Sequence, residues 1–238
     1  MKLTQIYSLF ITILLWYAFA VIYREIIPFP HDVITQFIRL YPGELQVHIV
    51  ASLKRIIIGL GISIILGVHI GLLIGLSKKS ETLLLPLVYG LYPVPKAALL
   101  PVLIIILGIG DLTKIVLIIV IVIFPIIISV KDAVRAIPEE VFYVSRSVSL
   151  SRVQLYKDVI IPAILPSLFT TIRIGIGIAI AVLYLSENFA TFYGVGYYIT
   201  LNMTNPVKLF AGIFSLSLIG LILFKGIELL EKQLCKWV

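Results

Sequence analysis

The sequence predicts an all-α, polytopic membrane protein, and three observations carry that reading. Of its 238 residues, 61% are hydrophobic and 13% are charged. The mean hydropathy is +1.15. Apolar runs of about 20 residues, the length a helix needs to cross the hydrocarbon of a bilayer, recur from one end to the other. So much apolar surface exceeds what the core of a soluble domain of this size hides. No Ser/Gly/Pro-rich linker and no low-complexity tract divides the chain, which reads as one membrane domain over residues 1–238.

Six segments meet the length requirement: residues 6–22, 56–76, 83–107, 115–130, 160–185 and 209–230. In the first, Lys2 ahead of the apolar run and "AFA" at Ala18 to Ala20 resemble a signal sequence with its cleavage site. The run continues through Ile22 with no small-residue spacer, which favours a retained span. The second carries Gly67, Gly71 and Gly75, two overlapping G-x-x-x-G spacings that let helices approach closely in lipid or serve a gating movement. His69, on the same span, has no carboxylate or second histidine near it in sequence. It is expected to hydrogen-bond between helices rather than to hold a metal. The third contains Pro86, Pro93, Pro95 and Pro101, so it must be kinked or broken, with its freed backbone groups satisfied inside the protein, as in a pathway-lining element. Trp16 and Trp237 are expected as interface anchors.

Orientation follows from the lysines and arginines. With the N-terminus inside, eleven of them (Lys2, Lys78, Lys79, Lys131, Arg135, Arg146, Arg152, Lys157, Lys225, Lys232, Lys236) face the cytoplasm and six (Arg24, Arg39, Lys54, Arg55, Lys114, Lys208) face out. Both termini are therefore predicted to be cytoplasmic, in a multi-pass protein of the cell membrane. The net charge of +7 is spread singly and in pairs between apolar runs, which fits loops facing anionic headgroups and argues against nucleic acid. One cysteine, Cys235, excludes an internal disulfide and a thiolate metal cluster within the chain. The three histidines, His31, His48 and His69, stand far apart, which argues against a membrane enzyme with a metal or acid–base cluster.

The interval between the fourth and fifth spans, residues 131–159, is a polar island on the cytoplasmic side. Pro138 suits a first helical position and Glu139 with Glu140 the first turn, where the helix dipole favours negative charge, so a short helix should run to about Val148. Ser151 with Gln154 three residues on is a capping-box signature for a second helix. Composition by itself allows an ordinary cytoplasmic loop; the same residues also allow a compact knob that a soluble partner could grip.

This stretch resembles the cytoplasmic loop of ABC-importer permeases, with the pattern E-A-A, three residues, G, nine residues, I, one residue, L-P. Tyr143, Val144 and Ser145 stand at the E-A-A positions, Ser149 at the glycine, Val159 at the isoleucine and Ile161-Pro162 at the L-P. The first half is eroded, but "LSRVQLYKDVIIPAILPSL" is similar to the nitrate, sulfonate and taurine branch of the family. So, in order, are "IPFPHDVITQFI", "LYPVPKAALLPVLIIILGIGDLTKI" and "LSENFATFYGVGYYI". The resemblance covers residues 27–199.

The resemblance implies a type I ABC-importer permease fold with six transmembrane helices. It implies a permease that pairs with a second copy or a homologous permease, two ATP-binding cassette subunits and an extracytoplasmic solute-binding protein. Glu139, Glu140, Tyr143, Val144, Ser145, Arg146, Ser149 and Arg152 would make up the coupling loop that docks on the ATPase. ATP and magnesium would belong to that partner, and no cofactor or catalysis to this chain; "GLLIGLSKKS" lacks the spacing of a phosphate loop. A glycine at the position of Ser149 would suggest a positive φ, which a serine adopts at a cost of about 1 kcal/mol.

Three further residues are candidates for the translocation path. Lys96 and Arg173 fall within spans, where a charge must face protein or water. They could offset the desolvation of an oxyanion such as a sulfonate, nitrate, taurine or bicarbonate. The alternative, which their position in permeases for differing solutes favours, is that each pairs with a carboxylate or a helix C-terminus. Glu187, near the outer end of the fifth span, matches the family's glutamate, either at an outer gate or as a solvated helix-end carboxylate. Gly194 and Gly196 should shape the turn that follows. An ion-gradient-driven secondary transporter is the nearest rival, but it should show inverted repeats, and no convincing repeat is visible.

Overall fold

A computed structural model describes residues 3–189 and 191–237, with side-chain detail from residue 7 onward apart from residue 9. Lys2 lies outside the described residues. All elements among the described residues are helical: α1 (Leu3–Ile22), α2 (Pro30–Leu40), α3 (Gln46–Leu76), α4 (Lys78–Leu91), α5 (Leu100–Leu107), α6 (Asp111–Arg135), α7 (Glu139–Ser147), α8 (Arg152–Gln154), α9 (Ile161–Glu187), α10 (Val195–Leu201) and α11 (Pro206–Leu234). A π-helical turn, Leu155–Ile160, joins α8 to α9, and another, Tyr41–Leu45, joins α2 to α3.

Four helical stretches are long and apolar enough to cross a membrane: Pro30–Leu76, Asp111–Arg135, Arg152–Glu187 and Pro206–Leu234. Lys78–Leu91 and Lys96–Leu107 together meet the same criterion as a pair bent by 81°. This is the broken third span that its prolines predict. The first predicted span, residues 6–22, lies within α1, of which Phe10–Ile22 is the apolar stretch among the residues described with side chains. Among the described residues, four helices, or five with the bent pair taken as one span, meet the criterion for crossing, against the six spans expected. The second span also begins at Gln46 rather than Ile56, which puts Lys54 and Arg55 inside a helix instead of in an outer loop.

The chain divides into two compact units. Met1–Lys54 with Leu183–Ile219 form one, and Arg55–Val182 with Gly220–Val238 the other. In the first unit, Trp16 donates its Nε1–H to the carbonyl of Pro28 at 3.1 Å and lies against Phe210, so this indole is tied into the protein. Phe37 meets Phe214 edge-on.

The second unit is organised by a seam of small residues on α3. A Cβ added at Gly59 would lie 2.7 Å from Ile118, at Gly67 2.7 Å from Ile126, at Gly71 2.7 Å from Val130 and at Gly75 2.8 Å from Val134. Ser63, buried between them, completes a small residue at every fourth position, one face of a helix. Packing in lipid gains from the close approach such residues permit. Each residue on α3 meets one 59 positions later on α6, so the two helices run parallel. The segment between them must therefore carry the chain back across, and the bent α4–α5 pair is one full crossing. α6 and α9 are antiparallel, since Ser129 meets Ser167 and Thr171 while Val122 meets Gly175. α9 and α11 are antiparallel too, through Ile180 with Gly220 and Arg173 with Glu231. The end of α11 and the end of α6, where the polar island begins, consequently share one side.

Candidate functional site

The polar island holds the short helix and the capping box that its residues predict, with Pro138 at the N-cap rather than the first helical position and only three α-helical residues before the π-helical turn. Pro138 is the N-cap of α7, with Glu139 and Glu140 in the first turn. The helix ends at Ser147 in a Schellman arrangement, in which the N–H of Ser149 donates to the carbonyl of Arg146 at 2.9 Å and that of Leu150 to Ser145 at 3.0 Å. That motif needs a left-handed residue just past the helix, and Ser149 supplies it with φ of 55°. The glycine of the family pattern is replaced here without loss of the turn. Ser151 and Gln154 form the expected capping box, with the Ser151 hydroxyl accepting from the Gln154 N–H at 3.3 Å and the Gln154 amide oxygen accepting from the Ser151 N–H at 3.0 Å.

The residues of this knob divide between inside and outside. Ser145 is buried and donates to the carbonyl of Val141 at 2.7 Å. Tyr143 is 61% exposed, and Val144 and Val148 are exposed beside it. The Arg146 guanidinium lies 5.7 Å from the centre of the Tyr143 ring. Glu139, Glu140, Ser149 and Arg152 are exposed as well. Glu139, Phe142, Tyr143 and Arg146, all on one face of α7, form a wall of a cleft of about 520 Å³ whose other walls include Gly75, Lys78 and Arg135. Arg135 is ion-paired with Glu81 there.

Lys96 and Arg173 are both engaged within the protein. Pro93 and Pro95 leave the end of α4 without backbone donors, and the Lys96 ammonium takes their place. It donates to the carbonyls of Tyr92 at 2.7 Å and Val94 at 3.4 Å and stands 4.5 Å from the centre of the Phe124 ring. Arg173 is ion-paired with Glu231 of α11, and its other terminal nitrogen donates to Thr170 at 3.0 Å. These are the carbonyl and carboxylate pairings that the alternative reading expects. His69 departs from expectation. It is exposed, and its Nδ1 lies 2.7 Å from the carbonyl of Ile65 one turn back on the same helix, a local bond rather than one between helices.

Glu187 is fully buried, so it is no solvated helix-end carboxylate. The Ser52 hydroxyl donates to its two oxygens at 2.8 and 2.9 Å, and the Gly196 N–H donates to Oε2 at 2.8 Å. The Val195 N–H donates to Ser52 Oγ at 2.8 Å and the Gly194 N–H to His48 Nδ1 at 3.1 Å. Gly194 has φ of 132°, and a Cβ there would fall on the Glu187 carboxyl group. One at Gly196 would lie 2.8 Å from both the Glu187 Cβ and the Tyr184 carbonyl. Sequence reasoning found Glu187 and the glycines but missed His48 and Ser52. The signal was their i, i+4 spacing, hidden because the second span was begun at Ile56. It also missed Arg55, which is buried and donates Nε–H and Nη2–H to Asp111 Oδ1 at 2.8 and 2.6 Å. Among the described residues, no three His, Cys, Asp or Glu side chains converge in a way that could hold a metal ion.

Parallel and antiparallel apolar helices, a broken helix and a polar knob between them define an α-helical, polytopic membrane protein. A model of the family described as "binding-protein-dependent transport system inner membrane component" matches residues 59–234, and the chain belongs to that family. It is 33% identical over 222 residues to the putative aliphatic sulfonates transport permease protein SsuC of Bacillus subtilis, covering 91% of this chain and 80% of the relative. It is 32% identical over 193 residues to the taurine transport system permease protein TauC of Escherichia coli, covering 80% and 70%. To the nitrate import permease protein NrtB of a Synechocystis strain the identity is 30% over 189 residues, covering 79% and 69%. The branch of ABC-importer permeases that the sequence motifs resemble is the branch these relatives occupy.

Proposed function

We propose that this chain is the membrane-spanning subunit of an ATP-driven importer for a small oxyanion or zwitterion delivered by an extracytoplasmic binding protein. It pairs with a second permease and couples through residues 131–159 to two cytoplasmic ATPase subunits, which bind ATP and magnesium. A sixth crossing, formed by the helix that ends at Ile22, brings both termini to the cytoplasmic side. The observation that carries the reading is the knob itself. A permease has no structural need for a short capped helix with Tyr143 and Arg146 held outward, whereas a partner that must transmit force does. The solute class rests on the relatives, named for aliphatic sulfonates, taurine, nitrate and, at 30% identity over 151 residues, bicarbonate.

The test is reconstitution of the chain with its ATPase subunits and binding protein in proteoliposomes, with radiolabelled taurine, nitrate and bicarbonate as probes. Uptake of one of them is expected to require ATP and the binding protein together. Uptake by the chain alone, driven by an ion gradient, would establish a secondary transporter instead.

A further inference from the structure

Two lysines far apart in the sequence meet on one line of contact between α4 and α6. At one end Lys131 of α6, which is buried, donates to the Tyr89 hydroxyl of α4 at 3.1 Å and stands 5.5 Å from the centre of that ring. At the other end Lys96, just past α4, stands 4.5 Å from the centre of the Phe124 ring of α6 and 5.5 Å from that of Tyr92. Lys96 lies seven residues after Tyr89 and Phe124 seven before Lys131, so the contacts run antiparallel along one face of α6. At 1.5 Å per residue the two stations are about 10 Å apart along that helix.

These cations differ from Arg173, whose charge a carboxylate offsets. Among the described residues Lys96 meets carbonyl oxygens and ring faces but no carboxylate. Dipoles and ring quadrupoles stabilise an ammonium without cancelling its charge, so its positive field extends past them. Lys131 bridges Asp132 at 2.6 Å, but that carboxylate is itself 61% exposed. An ammonium has three donors. Lys96 directs two at the carbonyls of Tyr92 and Val94, Lys131 directs two at Asp132 and Tyr89, and each keeps a third. The Tyr89 hydroxyl accepts from Lys131 and keeps its own hydrogen to donate. Tyr89 and Tyr92 are exposed at 48% and 47%, so the chain does not close over this face. Ionisable groups inside spans mark solute pathways, and one that no carboxylate offsets is the stronger case.

We propose that Lys96, Lys131 and the Tyr89 hydroxyl form a two-station track for the anionic end of the solute, running along α6 toward the knob and favouring anions over cations. The identity of the solute rests on the importer reading above; the attraction for anions rests on the two lysines alone.

The field of this face is read on the chain without transport. In a Cys235→Ser background, Tyr92→Cys places a thiol between the two stations. Its rates of modification by methanethiosulfonates carrying a sulfonate or a trimethylammonium group are compared in membrane fragments open on both faces. The preference for the sulfonate reagent is expected to exceed that at Ser147→Cys on the knob by about tenfold. Lys96→Met and Lys131→Met are each expected to lower the preference at Tyr92→Cys about threefold or more. A thiol at this position inert to both water-borne reagents, or a preference that neither substitution moves, overturns the inference. Tyr89→Phe keeps the ring beside Lys131 and removes only the hydroxyl. In the proteoliposome assay it is expected to lower the ceiling rate of uptake per assembled complex about fivefold, at an unchanged half-saturating solute concentration. An unchanged ceiling rate overturns the inference even where the lysine variants fail to assemble. Absence of ATP-dependent uptake by the wild type counts against the importer reading alone, since the thiol rates decide the field of this face without it.

Discussion

Ser149 shows how a single side chain can carry a motif that its identity seems to forbid. Its φ of 55° is the αL conformation that closes α7, and only glycine adopts it without penalty. Ser149→Gly is therefore expected to leave the turn intact and to stabilise the chain by up to about 1 kcal/mol, read as a rise in the thermal unfolding midpoint in detergent. Ser149→Val, with branching at Cβ, should lower it. Tyr143 tests the other face of the same knob. Since it is exposed in the single chain and stacked with Arg146, truncation should not disturb insertion. In the assembled importer Tyr143→Ala is expected to weaken ATPase association by about 2 kcal/mol, the loss typical of a buried aromatic anchor. Co-purification at wild-type levels with fully coupled transport would remove α7 as the grip.

The pairing of α3 with α6 depends on the absence of side chains along one helix face. At Gly71 a Cβ would sit 2.7 Å from the Val130 Cβ and 2.9 Å from the Ile127 carbonyl, and backbone cannot step aside. Gly71→Leu is expected to push the helices apart at a cost of about 1–3 kcal/mol or more, seen as loss of folded protein after extraction. The same substitution at Gly61, where nothing lies within 4 Å, should be tolerated. If both behave alike, the seam is not what joins these helices. The break between α4 and α5 is managed differently. Prolines open it, and the Lys96 ammonium closes it on the carbonyls of Tyr92 and Val94, a role a lysine can fill only because its stem is long enough to reach back one turn.

Topology can be tested without any partner. The parallel α3–α6 pair and the antiparallel pairs that follow place the end of α11 on the side of the polar island. A cysteine introduced at Ser147 and the native Cys235 region should then report from the same side. Ser147→Cys in a Cys235→Ser background is expected to react with an impermeant maleimide only in inverted membrane vesicles. Labelling in intact cells would place the knob outside and end the ATPase reading.

The sequence by itself determined the all-helical membrane class, the broken third span, the capped pair of short helices and the family. Each of these is written in local signals: hydropathy over about 20 residues, prolines inside an apolar run, and capping residues at fixed offsets. It also singled out the glycines of α3 and the charges Lys96 and Arg173, because a glycine stripe or a cation in an apolar run stands out one residue at a time. Only the tertiary structure decided their partners. That α3 meets α6 in parallel, that Arg173 pairs with Glu231 at a separation of 58 residues, and that Ser52 reaches Glu187 across 135 are long-range choices. Periodicity along a helix specifies which face is buried but not against what. In lipid, where apolar faces differ little from their surroundings, close steric fit and a few polar bonds make that selection.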